Sequence, residues 1–144
     1  MLDSFKSPLA LIGRVLLALM FVMAGFSKLG NIDGTAGYIA SGGLPFPALL
    51  AVVVGAFEVV GGLALAVGFK ARWAALALGI FTLLASVLFH KFWAVPAAQQ
   101  MVQQLMFMKN LAVAGGMFVV AALGAGPLSF DNRSAASSAR TALT

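Results

Sequence analysis

Four long apolar stretches dominate this 144-residue chain, each about the length that carries a helix across a bilayer. They run from Pro8 to Leu29, from Pro47 to Phe69, from Arg72 to Phe92, and from Pro96 to Leu123, where Gly124-Ala125-Gly126-Pro127 stops the helix. The chain is 62% hydrophobic and 9% charged. A soluble domain carries about 25% charged residues, so this one cannot solvate a water-facing surface. The apolar runs are continuous and do not alternate with period two, which excludes a transmembrane β-barrel. The expected fold is an all-α, four-helix transmembrane bundle over residues 1–130, with a mobile cytoplasmic tail over residues 131–144. The apolar run after Lys6 continues to Leu29, too long for a signal-peptide core, so it reads as a retained span.

The connections add detail. Between the first two spans lies a glycine-rich stretch whose middle, Thr35 to Ala40, predicts one short helix in the membrane interface. Lys70-Ala71-Arg72 is so tight that spans two and three must be antiparallel neighbours. With the N-terminus inside, the inner side holds Lys6, Arg14, Lys70, Arg72, Arg133 and Arg140, and the outer side holds Lys28, Lys91 and Lys109. That excess predicts an N-in, C-in topology. Trp73 then falls at the inner interface and Trp93 at the outer one.

Composition also removes whole classes of chemistry. There is no cysteine, so no iron–sulfur cluster, zinc finger or thiol redox couple belongs to this chain. One histidine cannot make a bis-histidine haem, and no metal site is expected. The net charge of +5 is spread singly along the chain, which suits an anionic membrane surface and not nucleic acid. No P-loop, G-x-G-x-x-G, H-E-x-x-H or serine triad is present.

Helical spacing at about 100° per residue assigns a face to each span. Span two gathers Ala51, Gly55, Glu58, Gly62 and Ala66 on one stripe, and span three gathers Arg72, Ala75, Gly79, Thr82, Ser86 and His90. Small and hydroxyl residues let helices approach and bond across the gap, so these stripes are expected to face one another. Leu63 and Leu78 are expected to face lipid. Span four offers Lys109, Asn110, Val113 and Gly116. Span one offers its weakest stripe, Gly13, Leu17, Met20, Ala24 and Ser27.

Glu58 is the most informative residue. An ionised side chain in mid-span costs at least about 2.5 kcal/mol on insertion scales, so it needs a partner or a changed protonation state. It is the candidate proton carrier. His90, Lys109, Asn110 and Lys28 collect at the outer layer above it and, with Ser86 and Thr82, are the candidate ligand-binding groups. Arg14 and Arg72, with Lys70, form an inner basic layer suited to orientation and lipid contact, and either arginine could pair with Asp131.

Five blocks of sequence resemble a known family over residues 8–131. They are Leu11-Ile12-Gly13-Arg14 with Ala24-Gly25-Phe26-Ser27-Lys28-Leu29; Gly43-Leu44-Pro45-Phe46-Pro47; Phe57-Glu58-Val59-Val60-Gly61-Gly62; Phe81-Thr82-Leu83 with Phe89-His90-Lys91-Phe92-Trp93; and Phe107-Met108-Lys109-Asn110 through Gly116. The chain thus resembles the DoxX family of small bacterial inner-membrane proteins. The family is named for a subunit associated with a quinone-linked oxidase of sulfur metabolism. The resemblance therefore implies a membrane subunit of an oxidoreductase complex that binds a quinone or similar amphipathic molecule. It places Glu58, His90, Lys109 and Asn110 in the family pattern without assigning them a catalytic role. The alternatives are a small-molecule transporter and an anchor for a soluble partner enzyme. The partners expected are the lipid bilayer, an oxidoreductase and further copies of the chain.

Overall fold

A computed structural model describes residues 5–133. The chain forms α1 (Lys6–Gly30), α2 (Ile32–Ser41), α3 (Pro47–Val67), α4 (Ala71–Phe89), a 3₁₀ turn at Phe92–Ala94, and α5 (Ala97–Leu123). Among the described residues there is no strand. Helices α1, α3, α4 and α5 are each long and apolar enough to cross a membrane, as the hydropathy pattern predicts. Helix α5 is about 40 Å long at 1.5 Å per residue. That exceeds the roughly 30 Å hydrocarbon layer.

Local chemistry sets the ends of these elements. The Asn31 side chain accepts the Gly34 N–H at 3.0 Å and starts α2. The short helix is consequently longer than its expected Thr35–Ala40 core. Gly68 ends α3 in the left-handed region (φ +74°), a conformation that costs glycine nothing, with Phe69 N–H returning to the Ala64 carbonyl. Helix α4 is capped from far along the chain. The Asp131 carboxylate accepts the N–H groups of Lys70 (2.7 Å) and Ala71 (2.9 Å), while Asp131 N–H reaches the Gly68 carbonyl at 2.9 Å. The expected tail begins at Asp131, yet the chain stays docked here; residues 134–144 lie outside the described residues.

The helices pack chiefly as two pairs, α1 with α3 and α4 with α5, with a lighter contact between α3 and α4. This corrects the expectation that the stripes of spans two and three face one another. The α3 stripe lies on α1: a Cβ added at Gly62 would fall 3.1 Å from the Ala18 carbonyl. The α4 stripe lies on α5, where a Cβ at Gly79 would meet Phe118 at 2.8 Å and Met117 at 3.1 Å. The short α3–α4 turn makes its helices antiparallel, but the seam between them is closed by Leu78 against Gly61 and by the Phe57–Phe81 edge contact. Leu78 is therefore fully buried and not lipid-facing, whereas Leu63 is exposed as expected. The core gathers around Phe21, Leu65, Leu78 and Met117.

The inward face of α1 also differs by one residue from its expected stripe. Arg14, Ala18, Phe21 and Gly25 are buried, and Gly13 lies in open space. The cause is Arg14. The residue is 2% exposed, and its guanidinium donates to the carbonyls of Ala125 and Leu128 in the segment that follows α5. It is thus a buried clamp and not a lipid-facing charge. Asp131 acts on it electrostatically, but the carboxylate hydrogen-bonds the α4 N-terminus. Arg72 stays exposed beside Gly124.

Candidate functional site

At the opposite end of the bundle from Arg14, the helices enclose a cavity of about 390 Å³. Ligand sites usually measure about 300–1,000 Å³. Its walls are apolar, with Ala24 from α1, Val54 from α3, and Ala85 and Leu88 from α4 among them. Helix α2 covers it through Thr35, Tyr38 and Ile39. The Tyr38 ring stacks on Phe89 at 4.9 Å between centroids, which ties the cover to the end of α4. Partial burial raises the Tyr38 phenol above its ordinary range, so it remains a neutral hydroxyl.

The polar groups converge from four helices. Lys28 Nζ donates to Glu58 Oε2 at 2.6 Å, with the lysine side chain 31% exposed and the glutamate 6%. Two glycines bring this pair together. Gly25 and Gly55 sit one turn before Lys28 and Glu58, and a Cβ at Gly25 would fall 2.6 Å from the Gly55 carbonyl oxygen. That close approach lets the lysine stem, leaning back toward its helix N-terminus, reach across an antiparallel neighbour. The buried glutamate therefore has the partner that its place in the sequence demands.

Thr82, His90, Lys109 and Asn110 line the same cavity. The Gln103 carboxamide oxygen lies 2.9 Å from His90 Nδ1. An oxygen can only accept, so Nδ1 carries the hydrogen of this bond. The Thr82 hydroxyl donates to the Leu78 carbonyl at 2.7 Å, keeping its lone pairs for an incoming donor. Lys109 has one polar neighbour among the described residues, Met106 Sδ at 3.7 Å. The cavity thus joins an apolar volume to a group of donors, acceptors and charges.

Six of the sequence-selected residues, Lys28, Glu58, Thr82, His90, Lys109 and Asn110, meet in this one place. Ser86 does not. It is buried, and its hydroxyl is held by the Thr82 carbonyl at 3.0 Å. Arg14 and Arg72 belong to the other end. Sequence reasoning missed Tyr38 as part of the cover and Gln103 as the partner of His90. Gln103 stands in the run Gln99-Gln100-Met101-Val102-Gln103-Gln104 at the start of α5, and the available signal was that this run is too polar for lipid. Among the described residues, no three His, Cys, Asp or Glu side chains cluster for a metal ion.

Comparison with known proteins adds kinship to this geometry. The DoxX family pattern matches residues 9–91. The inner membrane protein YqjF of Escherichia coli is 39% identical over 121 residues, 84% of this chain and 88% of its own length. The inner membrane protein YphA of the same organism is 34% identical over 128 residues, 89% of this chain and 91% of its own. The ER-derived vesicles protein ERV29 of Saccharomyces cerevisiae is 26% identical over 131 residues, 91% of this chain but 35% of its own. No solved structure matches.

Proposed function

Because this chain belongs to the DoxX family and is a multi-pass protein of the inner membrane, we propose that its bundle binds an amphipathic small molecule, a quinone or a relative, as the membrane subunit of an oxidoreductase complex. The observation that carries the reading is the apolar cavity of about 390 Å³ with the Lys28–Glu58 pair, His90, Lys109 and Asn110 at its polar end. A quinone offers a flat apolar ring and two carbonyl acceptors. Lys28, Lys109 and the Asn110 amide are donors within one site. Glu58, joined to Lys28, is positioned as the group that takes or gives the proton when the bound ring changes redox state. Electrons come from a partner, since the chain has neither cysteine nor a second histidine. We place the cavity on the outer side, with the N-terminus inside.

Titration of the purified protein with a short-chain ubiquinone, followed by calorimetry in mild detergent, tests the reading. Saturable binding that Ala85→Trp abolishes supports it, because a large ring at Ala85 fills the cavity. Binding that fails to saturate, or survives Ala85→Trp unchanged, refutes it.

A further inference from the structure

We propose that the cavity selects amphipathic anions, molecules with a hydrocarbon body and a carboxylate or equally charged head, and that Lys109 is the counter-ion. The proposal rests on the reading that the cavity is an amphipathic-ligand site, and within that class it favours an anionic head over the neutral carbonyls of a quinone. The argument is a balance of charge inside the lining. The ionisable groups there are Lys28, Tyr38, Glu58, His90 and Lys109. Lys28 and Glu58 cancel one another at 2.6 Å. Tyr38 is neutral, and the His90 ring, which donates to Gln103 through Nδ1, supplies no negative charge.

Lys109 makes no ion pair among the described residues; its polar contact is the weak Met106 thioether. No second carboxylate lines the cavity to meet it. The site therefore carries, on Lys109 exposed at its edge, a positive charge that no carboxylate of the lining meets, beside walls built of leucine, valine, alanine and phenylalanine. A charge at the edge of a low-dielectric volume is attracted strongly to an opposite charge and only weakly to a dipole. A neutral head would leave that ammonium unmatched. A carboxylate would pair with it, with the adjacent Asn110 amide donating to the second oxygen, while the chain lies along Val54, Ala85 and Leu88. The same head chemistry occurs on diffusible long-chain acids and on anionic phospholipids, so the test must separate these sources.

The experiment compares decanoate with decanol, equal in chain and different in charge, on the full-length protein in nanodiscs of zwitterionic lipid. The proposal expects decanoate to bind at least ten times more tightly than decanol. Lys109→Gln should remove that difference while leaving decanol affinity unchanged. Lys91→Gln, an exposed cation outside the cavity lining, should change neither. A second preparation in nanodiscs containing phosphatidylglycerol identifies the source. Weakened decanoate binding there supports the proposal with the lipid as natural ligand, and unchanged binding supports it with a diffusible acid. Equal affinity for acid and alcohol overturns the anion preference while sparing the cavity as a site. If Lys109→Gln lowers both affinities alike, Lys109 contributes packing and the proposal falls. If neither probe binds, the cavity reading falls and takes the proposal with it.

Discussion

Replacing Gly25 by alanine should loosen the bundle at the point that assembles the Lys28–Glu58 pair. The added Cβ would sit 2.6 Å from the Gly55 carbonyl oxygen, 2.7 Å from Val59 Cγ2 and 2.9 Å from the Val59 backbone nitrogen. A side-chain methyl can rotate away, but two of these atoms belong to the backbone of α3. Ordinary contact begins near 3.4 Å, so α1 and α3 must separate locally by about 0.8 Å, the difference between 3.4 and 2.6 Å. Overpacking of this kind costs about 1–3 kcal/mol. The same substitution at Gly13, on the same helix, meets nothing within 4 Å. It has no steric cost and gains whatever helix propensity alanine brings, up to about 1 kcal/mol. The assay is thermal unfolding of both variants in mild detergent, alongside the parent. Gly25→Ala should melt below the parent, and Gly13→Ala at or above it. If Gly25→Ala melts as high as Gly13→Ala, the close α1–α3 crossing is wrong, and the geometry of the ion pair with it.

The remaining predictions concern charge, core and topology. Glu58→Gln should cost about 1 kcal/mol at most, because the Lys28 it abandons is 31% exposed and can reach water. Lys28→Met strands a glutamate that is 6% exposed and should cost more, toward 3 kcal/mol; equal losses in melting temperature would contradict the burial asymmetry. Leu78→Ala should destabilise by about 2–5 kcal/mol, and Leu63→Ala by far less, since the first side chain is fully buried and the second half exposed. Reporter fusions after Lys70 should report cytoplasm and those between Asn31 and Gly43 the outside; the reverse pattern would turn the cavity to the inner face.

The four spans were readable because hydropathy over some twenty residues is a strong, local signal that a bilayer enforces. Much of the site was readable for a related reason. A glutamate in mid-span and polar groups late in an apolar helix are expensive there, so Glu58, Lys109 and Asn110 drew attention by cost alone. What sequence could not supply was the pairing of neighbours. Gly55 and Gly62 look equally suited to α1 and to α4, and only the assembled bundle places them on α1. Arg14 misled for a physical reason: an arginine near a span terminus ordinarily snorkels to the headgroups, and here backbone carbonyls more than a hundred residues away accept its hydrogens. The same distance hides Asp131, which resembles the first residue of a polar tail and caps α4. Tyr38 was invisible as a cavity group because nothing in a short glycine-rich helix announces where it will dock.

Native mass spectrometry of the protein released from mild detergent tests the central claim, that this bundle is built around a small-molecule site. The account predicts a discrete adduct of amphipathic-ligand mass on the parent protein, lost in Ala85→Trp while that variant keeps its melting temperature. A parent protein that flies bare after gentle release, or an adduct equally abundant on Ala85→Trp, would contradict it.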